Sequence, residues 1–141
     1  MSQSKQQIRV FLIHAHGDKK AVRKLCNRIT RNNIKAWLDE RELLPGQNWK
    51  HEIRDAMLRS DIIIVCLSAL FNEQGGYRYE ELKIALEKAS SHPDDEIFII
   101  PARLENCDTP DSLRHLHRVD LFEVDGYKKL MQALRKRITS L

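Results

Sequence analysis

The sequence predicts an α/β fold, because short apolar runs alternate with amphipathic helical segments along its 141 residues. Strand and helix alternate five times with connections too long for hairpins, which indicates that the strands run parallel. The most apolar run, residues 62–67, has no polar alternation, as is typical of a central strand covered on both faces. These observations predict a flavodoxin-like, doubly wound, five-stranded parallel sheet with helices on both faces.

The predicted strands are short apolar runs rich in β-branched residues. The first strand stops at the polar segment that begins with His14, and the fourth is ended by Pro101. The last strand is the weakest of the set. The five strands are predicted at 8–13, 34–38, 62–67, 97–100 and 121–124.

The predicted helices have apolar residues at helical spacing. The first helix begins after Asp18 and the second after Asn48, and both of these polar residues are predicted N-caps. A loop at 71–77 leads into the third helix. A short helix is predicted at 109–117, and a closing amphipathic helix at 127–138.

The composition limits the classes of partner. The chain is 42% hydrophobic and 31% charged, which suits one domain with a buried core. Its 24 Lys and Arg residues exceed its 20 Asp and Glu residues by only four, and the two signs are mixed nearly everywhere along the chain. We therefore do not expect a nucleic-acid partner, and we interpret the basic run at 135–137 as a solvated helix end.

The sequence does not have the patterns of a membrane-spanning protein or of a disulfide-rich protein. No apolar run approaches the ~18 residues of a membrane span, and the polar residues 1–7 lack the apolar stretch of a signal peptide. The three cysteines, Cys26, Cys66 and Cys107, fit neither a disulfide framework nor a zinc ligand pair. We expect a cytoplasmic protein in which residues 1–7 are disordered and 8–141 form a single domain.

Sheets of this class bind ligands beyond the carboxyl ends of their strands, so the residues that follow the strands indicate which ligand motifs are present. Gly17 stands alone after the first strand, and both the dinucleotide and the Walker glycine patterns are missing. A phosphoacceptor site needs acidic residues where His14 and Ser68 stand. A metal site at His14 and His16 lacks a nearby third ligand.

The third helix contains the most informative carboxylate. At ~100° per residue, Glu81 falls about 90° from the centre of the buried stripe, whereas Glu80 falls nearly opposite it. Tyr77 lies one turn before Glu81 on the same side. Position alone leaves two alternatives, a catalytic carboxylate or a glutamate that only complements the helix dipole. The stripe consists of Leu82, Ala85, Leu86 and Ala89.

Three stretches resemble the signature boxes of Toll/interleukin-1 receptor (TIR) domains, most closely the bacterial branch. FLIHAHGD at 11–18 resembles the first box, and AWLDERELLPGQNW at 36–49 resembles the second, which is the most specific. The stretch 62–68, followed by Tyr77-x-x-x-Glu81-Leu82, resembles the third. Together with Phe122, the resemblance extends from about 8 to 138.

The resemblance implies an enzyme that cleaves the nicotinamide–ribose bond of NAD+, giving hydrolysed or cyclised products. The family's catalytic glutamate ends a Trp-x-x-x-Glu motif and falls on Glu81, although Tyr77 replaces the tryptophan. No cofactor is implied, because NAD+ is the substrate. The residues implied to line the substrate cleft are His14, Ala15, His16, Asp39, Arg41 and Tyr77.

The resemblance also implies self-assembly through the loop that contains Glu42, Leu44, Pro45 and Gly46. The biological setting that it suggests is immune or anti-phage signalling, with a sensor domain or a separate sensor chain and no membrane. Two alternatives stay open. One is a TIR scaffold that acts only by homotypic contact, and the other is a nucleoside-processing glycosidase of similar fold, such as a deoxyribosyltransferase.

Overall fold

The computed structural model describes residues 8–37, 44–73, 77–93 and 95–140. The predicted disorder of 1–7 concerns residues outside these ranges. The strands are β1 (Arg9–Ile13), β2 (Lys35–Trp37), β3 (Ile62–Leu67), β4 (Ile99–Arg103) and β5 (Val119–Asp120). The α-helices are α1 (Lys19–Thr30), α2 (Trp49–Leu58), α3 (Ala69–Glu73), α4 (Tyr77–Ala89) and α5 (Gly126–Thr139).

Within the described residues, the five strands form one parallel sheet in the order β2-β1-β3-β4-β5. Val10 of β1 pairs with Ala36 of β2 on one side and with Ile62 of β3 on the other. The strand order reverses at β1, so the space beyond the carboxyl ends of β1 and β3 is where such sheets bind ligands. The predicted flavodoxin-like sheet is confirmed.

The sheet has a separate apolar core on each face, because successive strand residues point in opposite directions. Val10 and Leu12 of β1 belong to a core built with α1 and α5. Phe11 and Ile13 belong to a second core built with α2, α3 and α4. The six residues of β3 are all buried, as its unbroken apolar run predicted. Helices therefore cover both faces.

Strand β4 begins later than predicted and runs through Pro101 instead of ending there. On either side of β4, the Phe98 carbonyl accepts the N–H of Ile63, and the Leu104 N–H donates to the Leu67 carbonyl. Alternate residues of β4 therefore bond to β3, and those between them face β5. Pro101 is one of the residues that face β5, which is only two residues long. The missing N–H of Pro101 therefore removes no bond from the central ladder.

Strand β5 lies before the predicted position at 121–124. The N–H of Glu123 donates to the carbonyl of Asp120, and the N–H of Gly126 donates to the carbonyl of Glu123. These successive turns occupy backbone groups that a strand would give to its neighbour. Val124 is fully exposed, so the apolar residues at 121–124 do not form a buried strand.

Two helical predictions are also corrected. The region 109–117 contains only a short 3₁₀ helix at Asp111–Leu113, because the chain must reach the sheet by Val119. Part of the predicted loop at 71–77 is helical, because α3 extends to Glu73. Ser68 caps the start of this helix, since its Oγ accepts a hydrogen bond of 3.0 Å from the Phe71 N–H. Of the helices described, none is long and apolar enough to cross a membrane.

The two predicted N-caps differ in outcome. Asn48 Oδ1 accepts a hydrogen bond of 3.2 Å from the N–H of His51, which confirms it as the cap of α2. Asp18 immediately precedes α1, but its side chain makes no capping bond. The Asp18 carboxylate instead accepts the hydroxyl hydrogen of Ser68, from the segment after β3.

Candidate active site

The segment after β1 divides into a buried part and an exposed part. His14 and Ala15 are 2% and 0% exposed. The Nδ1–H of His14 donates to the Ala15 carbonyl at 2.8 Å, which satisfies one polar atom of this buried ring. His16 begins a 3₁₀ helix at His16–Asp18 and is exposed. Of these three predicted contact residues, His16 presents its side chain to solvent.

Ser68 connects the segments that follow β1 and β3. Its hydroxyl is buried with the rest of the side chain, donates to Asp18, and accepts from the N–H of Phe71. The turn before α1 also packs on α3, because a Cβ on Gly17 would lie 2.8 Å from Leu70 Cδ1. The residues after the two central strands therefore form one connected edge.

Helix α4 places Glu81 at this edge. Glu81 is 3% exposed, whereas Glu80 is exposed, which is the difference that the helical wheel predicted. The helix packs against β1, β4 and α2, and its Leu82 shares a core with Ala15. Glu81 is thus a carboxylate buried in the first half of a helix that lies against the ligand-binding strands.

Lys88 fixes the other end of α4. Its ammonium group donates to the carbonyl oxygens of Leu58, Ser60 and Met57, the last two at 2.7 and 3.3 Å. These carbonyls lie at the end of α2 and just beyond it, and the Met57 carbonyl also accepts the N–H of Ser60. Burial lowers the pKa of Lys88. Lys88 lies seven residues after Glu81, so both side chains leave the same side of α4.

The predicted assembly residues Leu44, Pro45 and Gly46 form a separate exposed turn. The N–H of Gln47 donates to the Leu44 carbonyl at 3.1 Å, and the Gln47 side chain accepts from the Leu44 N–H at 2.8 Å. Gly46 has a φ of 91°, which suits the third position of a type II turn. Leu44 is 67% exposed and Trp49, at the start of α2, is 47% exposed.

For four of the predicted site residues, the structure describes either nothing or only the backbone. Asp39, Arg41 and Glu42 lie outside the described residues. Tyr77 is the first residue of α4, and the position of its side chain is not described. Of the predicted residues that are described, His14, Ala15 and His16 directly follow β1, and Glu81 lies on α4, which packs against β1. The turn at 44–46 is a separate feature.

Other chemical groups lie away from this edge. A cavity of about 650 Å³ lies beside the start of β4, and its lining includes Leu86 and Ala89 from the far end of α4 but neither Glu81 nor His14. Burial raises the pKa of the Cys66 thiol, which disfavours a thiolate nucleophile. Within the described ranges, His, Cys, Asp and Glu side chains form no group of three that could hold a metal ion.

A family model described as a TIR domain matches residues 10–135, which is most of the chain. The chain belongs to the TIR-domain family. Solved TIR structures agree with this assignment at the level of the fold. The TIR domain of the Toll-related receptor TRR-2 from Hydra magnipapillata has a TM-score of 0.74 and 24% identity, covering 92% of this chain and 97% of that one.

Two further structures share the fold of this TIR domain at lower identity. The TIR domains of the activated Roq1 resistosome, which directly recognizes the pathogen effector XopQ, have a TM-score of 0.69 and 19% identity over 92% of this chain and 99% of that one. A prokaryotic SEFIR domain has a TM-score of 0.61 and 17% identity over 94% of this chain and 92% of that one.

A curated relative is named NAD(+) hydrolase TcpA and comes from Theionarchaea archaeon (strain DG-70-1). The two sequences are 36% identical over 66 residues, which is 46% of this chain. The matched region spans only 20% of that relative, so this TIR domain corresponds to about a fifth of its length.

Sequence reasoning missed the structural roles of three residues in this TIR domain. Ser68 and Lys88 are two of them, and Arg103, at the end of β4, is the third. The Arg103 guanidinium donates to both carboxylate oxygens of Asp120 at 2.7 and 2.8 Å, which fixes β5 beside β4. An arginine that ends an apolar strand is the sequence signal for such a buried ion pair.

Proposed function

We propose that this TIR domain cleaves the bond between nicotinamide and ribose in NAD+, with Glu81 as the catalytic residue. The observation that carries the proposal is the contrast between buried Glu81 and exposed Glu80 at the ligand-binding edge of the sheet. The relative named as an NAD(+) hydrolase supports the same reaction class.

The reaction needs one carboxylate. As the N-glycosidic bond breaks, its electron pair moves to the nicotinamide ring and neutralises its positive charge, so the leaving group requires no proton. Positive charge develops on the ribose, and the Glu81 carboxylate stabilises it. Because the carboxylate is buried, this attraction is screened less than it would be in water. Water or a ribose hydroxyl then attacks the ribose carbon and releases its proton to solvent, which gives the hydrolysed or the cyclised product.

The segment after β1 supplies the remaining described contacts in this proposal. His16, exposed on the 3₁₀ helix, contacts the anionic phosphates, and the backbone at Ala15 forms the floor of the cleft. His14 supports this segment from below through its bond to the Ala15 carbonyl. Asp39 stays a predicted contact to the ribose, Tyr77 a predicted aromatic wall of the cleft, and Arg41 a predicted substrate contact.

We further propose that activity depends on self-association through the turn at 44–47 and operates in immune or anti-phage signalling inside the cell. Leu44 and Trp49 place two exposed apolar side chains on either side of this turn. Exposed apolar groups are enriched where proteins associate. The Roq1 resistosome supports the proposal as an assembly that contains TIR domains.

Release of nicotinamide from NAD+ tests the catalytic assignment. Assembly is promoted by high protein concentration or a crowding agent, and wild type is compared with Glu81→Gln and with the matched control Glu80→Gln. We expect Glu81→Gln to reduce the rate at least about 100-fold, as the loss of one electrostatic stabiliser does, and Glu80→Gln to leave it within about twofold. Equal rates for wild type and Glu81→Gln would contradict the assignment.

The exposed turn also favours a second candidate, a scaffold that acts only by homotypic contact. If the domain is only a scaffold, the NAD+ concentration should stay constant in crowded wild-type samples. The Gly46→Ala variant should at the same time fail to self-associate. A matched control is Gly46→Asn, because asparagine tolerates a positive φ better than alanine.

Turnover of free nucleosides in place of NAD+ would instead identify a nucleoside-processing glycosidase.

A further inference from the structure

Helices α1 and α5 contain basic residues and no acidic ones. Of the 24 Lys and Arg residues in the chain, six lie at 19–31 and five at 126–139, where neither Asp nor Glu occurs. The rest of the chain then has 13 basic residues against 20 acidic ones. The net charge of +4 therefore conceals a strong separation of charge between these two helices and the remaining elements.

The two helices lie side by side on one face of the sheet. Both contribute to the core that contains Val10 and Leu12. The Arg28 guanidinium of α1 lies 3.6 Å from the ring centroid of Tyr127 in α5. The Tyr127 hydroxyl donates to the Arg28 carbonyl at 3.1 Å and accepts from the Asn32 side chain at 2.9 Å. The basic residues of α1 and α5 therefore belong to one surface.

We call this surface the basic face and define it by its exposed side chains. They stand at positions 20, 23, 24, 28 and 31 on α1 and at 128, 129, 135 and 136 on α5. At about 100° per residue, each set falls on one side of its helix. The basic face consists of Lys20, Arg23, Lys24, Arg28, Arg31, Lys128, Lys129, Arg135 and Lys136.

The arrangement is unfavourable for the helices themselves. Lys20 and Lys24, and also Lys24 and Arg28, are like charges at i,i+4, which repel. Neither helix has an acidic residue in its first turn, and Lys128 and Lys129 stand near the positive end of the α5 dipole. An anionic partner would offset both effects.

The surface chemistry favours nucleic acid among anionic partners. Helices that lie on membranes insert Trp, Phe or Leu, and protein interfaces depend on buried aromatic anchors. The large apolar side chains that are exposed in the described structure lie outside α1 and α5. A phosphate backbone requires only positive charge, and α1 and α5, about 18 and 21 Å long at 1.5 Å per residue, match a duplex with a charge about every 1.7 Å of its axis.

We propose that the basic face binds the phosphate backbone of double-stranded nucleic acid without regard to sequence. The proposal departs from the expectation drawn from the linear sequence, where basic and acidic residues alternate, because folding brings two acid-free helices onto one face. Its site is separate from Glu81, since α4 covers the opposite face of the sheet. Nicotinamide release and duplex binding therefore report on the two proposals independently.

Binding of a fluorescent 20-base-pair DNA duplex, measured by anisotropy between 50 and 200 mM salt (about the range over which such contacts respond), tests the proposal. The test variant is Arg23→Gln, Lys24→Gln, Lys136→Gln, and glutamine is compatible with a helix. The matched control, Lys50→Gln, Arg54→Gln, Lys83→Gln, removes three exposed charges from α2 and α4. Circular dichroism verifies that both variants are folded.

We expect wild type to bind at 50 mM salt and its affinity to fall linearly on a log–log plot as salt rises. The test variant should bind at least about tenfold more weakly, and the slope of that plot should become shallower by about 2.7, because it loses three phosphate contacts that contribute about 0.9 each. The control variant should stay within about threefold of wild type. Similar losses in both variants would show that only net charge matters and would overturn the proposal.

Two parallel measurements use other anions. An RNA duplex of the same length distinguishes RNA from DNA as the source of the phosphate backbone, and binding of either duplex supports the proposal. Vesicles that contain phosphatidylserine test the membrane. Capture by vesicles without duplex binding at 50 mM salt would overturn the proposal, as would the absence of binding to all three.

Discussion

Ser68 donates its hydroxyl hydrogen to the Asp18 carboxylate, and this bond joins the segments that follow β1 and β3. The two residues are 50 positions apart in the sequence. The same hydroxyl oxygen accepts the N–H of Phe71 and so begins α3. One buried side chain therefore holds together the edge of the sheet at which Glu81 is placed.

Replacement of Ser68 by alanine should lower the free energy of unfolding by about 1–3 kcal/mol, because both bonds are lost in a buried site. Urea unfolding measures the change. Ser90→Ala is the control, since the exposed Ser90 hydroxyl donates to the nearby Glu87 carbonyl within its own helix end, and its effect should stay within about 0.5 kcal/mol. Equal losses in the two variants would contradict the role of Ser68.

Replacement of Lys88 by methionine should lower the free energy of unfolding by about 1–2 kcal/mol, because the carbonyl oxygens of Leu58 and Ser60 at the end of α2 lose the ammonium group as a donor. Methionine keeps the apolar stem and so isolates the ammonium group. Lys83→Met, at an exposed position of α4, is the matched control and should change stability by less than about 0.5 kcal/mol. No difference between the two variants would show that Lys88 does not stabilise the junction of α4 and α2.

The ion pair of Arg103 and Asp120 predicts a dependence of stability on pH. The hydrogen bond from Arg103 holds the pKa of Asp120 below its usual range. Ionised Asp120 therefore stabilises the fold above the unfolded pKa of about 4, and this contribution is lost as the pH falls through the lower pKa of the folded state. Asp120→Asn should cost about 2–3 kcal/mol at neutral pH, because it leaves a buried guanidinium without its carboxylate.

Urea unfolding at a series of pH values measures this effect. The difference between wild type and Asp120→Asn should shrink as the pH falls below about 4. Asp111→Asn is the control, because Asp111 pairs with Arg114 on the surface, where such pairs contribute less than about 1 kcal/mol. A difference between wild type and Asp120→Asn that stays constant from neutral pH to pH values well below 4 would contradict the assigned pKa direction.

Much of the central sheet could be predicted from local patterns. The unbroken apolar run of β3 indicated a strand buried on both faces, and all of its residues are buried. Pro45 and Gly46 are the residues that a type II turn favours at its second and third positions, and Gly46 has a positive φ. The side of α4 that Glu81 occupies followed from the angle between successive helical residues.

The ends of the sheet could not be predicted in the same way. Pro101 continues β4 because its nitrogen faces the side where β5 is short, and no local pattern records the length of a neighbouring strand. The apolar residues at 121–124 resemble a strand by composition, but backbone turns at Glu123 and Gly126 take up their bonding groups. Pairing between distant segments decided both cases.

The sequence by itself determined the alternation of strands and helices in a parallel sheet, the TIR signature, and which of Glu80 and Glu81 is buried, because periodicity and spacing report burial along one element. Only the tertiary structure decided that Ser68 reaches Asp18, that Lys88 closes the end of α2, and that α1 and α5 form one basic face. Each of these relationships joins segments far apart in the chain. Their partners are set by how the elements pack in space, which no single stretch of sequence contains.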